Sequence, residues 1–225
     1  MALILNIDTA TVTGSVSLAR DGKALQTLVS AEQKDHAATI TLFVQQLLRE
    51  QGLSAGELDA VAVSAGPGSY TGLRVGVATA KGLCYAWNKP LIAVSTLKMM
   101  AQGLRWRLNE KDVWYCPMLD ARRQEVFTAM YDDSLHEVLA PQAMVLDAAS
   151  FAGQLEKRKI YFFGDGSGKW AQLLGLHPHA MFADYTMSAA DMAPLSEQYF
   201  HTNSFADLAY FSPFYLKPFY FPKKS

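Results

Sequence analysis

An alternating apolar segment, Ala60-Val61-Ala62-Val63-Ser64, runs into Gly66-Pro67-Gly68-Ser69-Tyr70-Thr71-Gly72-Leu73-Arg74-Val75-Gly76, and this junction constrains the fold more than any other stretch. Val77 to Trp87 follows with no breaker but Gly82, so the segment reads as strand, tight loop and helix. Gly66-Pro67-Gly68 turns without Cβ clashes, and Ser69 is placed to cap a helix opening at Tyr70. A phosphate loop is the simplest alternative, because free N–H groups at a helix N-terminus favour anions. No Lys-Ser or Lys-Thr pair follows, however, and the glycine spacing is not that of a dinucleotide fingerprint. Gly72, Gly76, Ala80 and Cys84 recur every four residues as a stripe of small side chains. An interior glycine costs a helix roughly 1 kcal/mol against alanine. The stripe therefore predicts a backbone packed closely against it, with part of the helix at a subunit interface. Arg74, Ala78, Lys81 and Tyr85 form a second, mixed face.

The rest of the first half reads as a strand over Leu3–Asp8, a hairpin of Gly14–Arg20 and Lys23–Ser30 about Asp21-Gly22, and a helix capped by Asp35. Ile40, Val44, Leu47 and Gln51 line one face of that helix and Gly52 closes it. A strand over Leu91–Val94 and a helix from Ser95 or Thr96 complete the order β-β-β-α-β-α-β-α. The second half repeats it imperfectly: a hairpin of Val113–Leu119 and Gln124–Tyr131, a helix near 148–157, a strand over Ile160–Phe163, and helices near 169–174 and 188–201. Two copies of one mixed unit, joined near Gly103–Asp112, resemble the duplicated plan of the actin-like superfamily. That plan implies an α/β fold of two ribonuclease H-like lobes, each a mixed five-stranded sheet flanked by helices, over 1–104 and 105–225. Pro213, Pro218 and Pro222 keep the end of the chain from being helical, so it is expected to be extended, its aromatic side chains packing back onto a lobe.

Composition narrows the function. With 225 residues, half of them hydrophobic, and a formal charge of −1, the chain can bury a core but has no global basic field to hold a polyanion. The clusters at Arg105/Arg107, Arg122/Arg123, Lys157-Arg158-Lys159 and Lys223-Lys224 read as solvated surface. The two cysteines, Cys84 and Cys116, sit in apolar surroundings and read as buried thiols in a reducing compartment. The N-terminal apolar run lacks a basic flank and breaks at Asn6 and Asp8, so a cytoplasmic protein with no membrane segment is expected.

Gly66–Gly76, together with Val94-Ser95-Thr96-Leu97 and Ile7-Asp8-Thr9, closely resembles the TsaB (YeaZ) family, strongly over roughly the first 130 residues. The resemblance implies a non-catalytic subunit of the bacterial complex that makes threonylcarbamoyladenosine beside the anticodon of tRNA. It implies TsaD, the transferase, as heterodimer partner, TsaE as the third component, a homodimer when alone, and tRNA contact only through the complex. The docking surface it implies lies on the first helix and the Tyr70–Trp87 helix, at His36, Ile40, Thr71, Arg74, Val75, Ala78, Lys81, Gly82 and Tyr85. Gly66, Pro67, Gly68, Ser69, Gly72 and Gly76 form the structural loop.

The residues that would carry independent chemistry are degraded. An actin-like ATPase needs acidic residues for magnesium and glycine turns that cradle phosphate. The first loop reads Asp8-Thr9-Ala10-Thr11, with alanine in the glycine position, and the second reads Asp120-Ala121-Arg122. Gly164-Asp165-Gly166-Ser167-Gly168 is either a third loop or a plain turn. The catalytic relative holds its metal with histidines at i and i+4 of the first helix; here His36 is followed by Ile40. No cofactor or metal is expected. The competing reading is an enzyme, either a residual actin-like ATPase or a glycoprotease-type metallopeptidase.

Overall fold

The computed structural model describes residues 2–30 and 36–217. Its first half runs β1 (Leu3–Asp8), β2 (Gly14–Arg20), β3 (Lys23–Ser30), α1 (His36–Glu50), β4 (Ala60–Gly66), α2 (Tyr70–Trp87), β5 (Leu91–Ser95) and α3 (Thr96–Leu108). The strands form one sheet in the order β3-β2-β1-β4-β5, antiparallel on the hairpin side and parallel from β1 to β5. β1 and β4 are buried along their whole length, which is why Leu3, Ile4, Leu5 and Ile7 of β1 and Ala60, Val61, Ala62 and Val63 of β4 are apolar on both faces.

The second half contributes β6 (Val113–Asp120), β7 (Glu125–Tyr131), β8 (Glu137–Val145), α4 (Ala152–Leu155), β9 (Lys159–Phe163), α5 (Ser167–Leu174) and β10 (Ala180–Ala183). Their sheet, β8-β7-β6-β9-β10, has the same connectivity as the first, with β6–β9 and β9–β10 parallel. The expected duplication is therefore present. Two edge strands, β8 and β10, were not anticipated from the sequence, and the helix expected over 148–157 forms only across Ala152–Leu155. The last helical stretch splits into a 3-10 turn, Ala189–Met192, and α6 (Ala193–His201).

Three clusters of buried side chains hold the layers together. Leu97, Met100 and Leu104 of α3 lie between the sheets, meeting Ile4, Ala62 and Val94 on one side and Tyr115, Ala129 and Tyr131 on the other. Ile40, Val44 and Leu47 of α1 and Val77, Ala80 and Cys84 of α2 cover the opposite face of the first sheet. Trp170, Phe151 and Phe162 fill the outer side of the second. Burial pushes the Cys84 thiol up to about 11 and that of Cys116 to about 12, so both stay protonated.

Beyond residue 188 the chain returns to the first lobe. Ala189 N donates to Ser15 Oγ at 2.8 Å, and α6 packs on β1, β2, β3 and β5. Asp191, 4% exposed, accepts from both the Arg107 guanidinium of α3 (3.0 Å) and the Tyr185 hydroxyl (2.8 Å). Ala206 then bridges Leu91 on β5, and Leu208 and Phe211 pack over the first lobe's core. Phe214 N donates to Ala65 O at 2.7 Å, which ties the segment alongside β4. Phe219, Tyr220, Phe221, Lys223 and Lys224 lie outside the described residues. Among those described, no helix is long and apolar enough to cross a membrane.

Candidate partner-binding helix and inter-lobe cleft

The glycine loop exists to bring α2 against the first strand turn. Gly66 has φ +107° and a Cβ there would strike the Phe214 carbonyl; the Gly66–Pro67 peptide is cis. Ser69 N donates to Ala10 O at 2.7 Å, and Ser69 Oγ accepts from Gly72 N at 3.3 Å as the cap of α2. Thr9 fits against the stripe of small residues: its Oγ1 donates to Gly72 O at 2.7 Å, and its carbonyl and hydroxyl occupy the space that Cβ atoms on Gly72 and Gly76 would need. The close backbone approach expected from the stripe is therefore internal, between α2 and residues 8–10, and the stripe itself is buried.

The opposite face of α2 looks outward. Thr71, Arg74, Ala78, Gly82 and Tyr85 are exposed, Tyr85 to 84%, and Val75 is half-buried. A Cβ on Gly82 would meet nothing within 4 Å. Arg74 lies over the Tyr70 ring at 4.2 Å, and Tyr70 packs on Tyr215 with ring centroids 4.9 Å apart.

Two of the nine residues assigned to the docking face are not free to join it. Ile40 is 0% exposed and belongs to the stripe that α1 turns toward its own sheet; the i, i+4 relation to His36 does not bring it outward. Lys81 spends its ammonium on this same chain, donating to Ala209 O (3.2 Å) and Phe211 O (3.0 Å). His36 opens α1, and its side chain lies outside the described residues, as does the Asp35 cap.

The loops that would hold a nucleotide do meet, around a cleft of about 860 Å³ lined by Ala10, Thr11, Gly68–Thr71, Asp120–Arg122, Asp165 and 214–217. Asp8 lies beneath it, 1% exposed. Its Oδ1 accepts from Ala10 N at 3.0 Å and so closes the turn, while Oδ2 has no partner among the described residues. Burial pushes its carboxyl up to about 6. Thr11 Oγ1 turns back toward Thr13, and the Ala10 methyl abuts Gly68, filling the place where a glycine would leave room for phosphate. Asp120 accepts from Arg122 N and from Lys169 Nζ, both at 2.6 Å; against the effect of burial, this ion pair holds its carboxyl below the usual range. Gly164, at φ +96°, and Gly166 let their loop press onto the end of β6, where Asp165 Oδ1 accepts from Asp120 N at 2.9 Å.

The packing back of Tyr215 follows the expectation for the tail aromatics, whereas Lys217, Tyr185 and Asp191 carried no sequence signal. Tyr215 and Lys217 line the cleft from the returning C-terminal segment, and Tyr185 and Asp191 tie that return to α3. Their partners are distant in sequence, and none falls in a motif. The basic run at 157–159 is largely neutralised locally, Lys159 by Glu110 at 2.7 Å and Arg158 by Asp112 at 3.1 Å. Among the described residues no three His, Cys, Asp or Glu side chains converge as metal ligands.

Comparison with known proteins places this architecture. The family model described as TsaD, tRNA N6-adenosine threonylcarbamoyltransferase, matches residues 29–216. The tRNA threonylcarbamoyladenosine biosynthesis protein TsaB of Escherichia coli (strain K12) is 31% identical over 226 residues, covering 95% of this chain and 94% of that protein. The solved structure of YeaZ from Pseudomonas aeruginosa superposes with a TM-score of 0.79 at 26% identity, over 96% of this chain and all of that one. An inorganic polyphosphate/ATP-glucomannokinase from Arthrobacter sp. strain KM has the same fold at a TM-score of 0.51 and 12% identity, over 90% of this chain and 100% of that one. With its two like-connected sheets and its stripe-backed α2, the chain belongs to the TsaB (YeaZ) family.

Proposed function

We propose that this chain takes part in the synthesis of tRNA threonylcarbamoyladenosine as a non-catalytic subunit that docks and supports the TsaD transferase. Family membership supports the pathway. The observation that carries the docking role is the division of α2 into two faces. The small-residue stripe is buried against Thr9 and the first lobe's own core, and the outer face, with Ala78 and Gly82 between Arg74 and Tyr85, has exposed small residues flanked by an arginine and an aromatic. Such a surface admits a second helix closely and supplies the residue types that anchor interfaces.

The first lobe, 1–104, brings the docking helices, and the second, assigned to 105–225, completes the cleft, with residues 189–215 packed back onto the first. TsaE joins as a third component, tRNA is met through the complex, and the same α2 face pairs two copies when the transferase is absent. Ala10 against Gly68 and Arg122 in the second loop favour a subunit without phosphoryl chemistry of its own. Ala78→Glu tests the proposal. The isolated variant should melt like the parent, while its affinity for TsaD and the transfer activity of the reconstituted complex fall roughly tenfold or more, because the carboxylate would be buried unpaired. Parental affinity would move the interface elsewhere. Nucleotide turnover by the isolated chain, abolished in Asp8→Asn, would replace the scaffold with an enzyme.

A further inference from the structure

The C-terminal segment runs antiparallel along α2 and then crosses to the other lobe. Its hold on the first lobe is extensive: Ala206 bridges Leu91, Lys81 of α2 binds the carbonyls of residues 209 and 211, Phe211 packs on the core, and Phe214 N is bonded to Ala65 O. Tyr215 stacks on Tyr70 at the N-terminus of the same helix. Among the described residues its polar hold on the second lobe is a single ion pair, Lys217 Nζ to the Glu125 carboxylate of β7 at 2.5 Å, with the lysine side chain half exposed. Residues 214–217 thereby form one wall of the inter-lobe cleft.

We propose that residues 206–217 are a strap, fixed along α2 and pinned across the cleft by Lys217–Glu125, whose release opens the cleft. The asymmetry of the anchors dictates which end moves. Backbone bonds and a packed phenylalanine hold the first-lobe end, whereas a partly exposed ion pair is held weakly and is screened by salt. Because the strap lies against Lys81, with Tyr210 exposed to 87% beside the bonded carbonyls, a protein seated on the outer face of α2 would press on it. The strap is thus the physical route by which docking on α2 changes the cleft, a consequence that rests on the function proposed above.

Thr11 lines the cleft on the side of the first lobe and bonds only locally, and Cys84 and Cys116 are buried. A Thr11→Cys background therefore makes thiol labelling of the isolated chain a gauge of cleft opening. Glu125→Gln and Lys217→Met should each raise the labelling rate by roughly two- to fivefold, the weight of one part-exposed ion pair. The reversed pair, Glu125→Lys with Lys217→Glu, should return it toward the parental rate. Unchanged rates in both single variants, or no recovery in the reversed pair, overturn the pin. A second arm adds TsaD to the Thr11→Cys protein. A changed rate supports the coupling; TsaD binding with no change overturns it while leaving the docking function intact, and absence of binding refutes that function without touching the pin.

Discussion

Gly72→Ala puts one methyl group where the Thr9 carbonyl stands. An ideal Cβ on this residue would approach that oxygen well inside the 3.0 Å that such atoms essentially never breach. The obstacle is backbone on a central strand turn, not the end of a flexible side chain, so it cannot swing aside. Relief requires α2 or residues 8–10 to move by on the order of 1 Å, an overpacking that costs about 1–3 kcal/mol. The Thr9 Oγ1 bond to Gly72 O, 2.7 Å long, would be stretched as well, at about 1 kcal/mol. Alanine returns about 1 kcal/mol of helix propensity. The net expectation is a loss of about 1–3 kcal/mol, or a melting temperature lower by about 2–12 °C for a chain of this size. Gly82→Ala is the matched control: on the same helix, with nothing within 4 Å of its Cβ, it should stabilise by about 0.5–1 kcal/mol. Thermal melts followed by circular dichroism decide the matter. If Gly72→Ala melts with the parent, or the two variants shift together, the close approach of Thr9 does not govern the glycine pattern of α2.

Asp8 gives a pH-dependent test. Its carboxyl, raised by burial from 3.8 to about 6, binds a proton more readily folded than unfolded, so stability is lost as pH rises from about 4 to about 6 and stays low above that. Asp8→Asn should remove most of that loss, worth at most about 3 kcal/mol at neutral pH, and flatten the slope in urea melts between pH 4.5 and 7.5; an undiminished slope would clear Asp8 of responsibility. Arg107→Met leaves the Asp191 carboxylate buried with its cationic partner gone and should destabilise by about 2–3 kcal/mol, whereas the double variant with Asp191→Asn should recover part of the loss. Additive losses in that double variant would mean the pair is not coupled.

The sequence disclosed what local chemistry encodes. Ser69 as a cap, the breaker-free run to Trp87, and Asp21-Gly22 between two alternating segments each specify structure within a few residues, and each element stands where they put it. β8 was hidden because Pro141 interrupts it and an edge strand tolerates that, and β10 because four half-exposed residues carry too little pattern. The expected helix over 148–157 lost its first turn to Asp147, whose side chain binds Ala149 N and Ser150 Oγ. Ile40 shows a different limit. Its spacing with Val44 and Leu47 already said core, and only the family motif suggested surface. Lys81 shows the last: a lysine on a mixed helix face reads as solvated, and nothing nearby in sequence announces two carbonyls contributed by the far end of the chain.

The return of residues 189–215 to the first lobe also imposes an order on synthesis. A ribosome delivers β1–β5 long before it delivers Ala206, Leu208 and Phe211, the side chains that cover part of that lobe's core, or Phe214, which bonds Ala65. The first lobe to emerge is therefore the last to be finished. A nascent chain halted in the second lobe exposes the β5 side of its sheet and a bare flank of α2, apolar surface of the kind that chaperones bind and that seeds aggregation. Ribosome-stalled chains of increasing length should lose protease sensitivity in the first lobe only once the strap has cleared the exit tunnel.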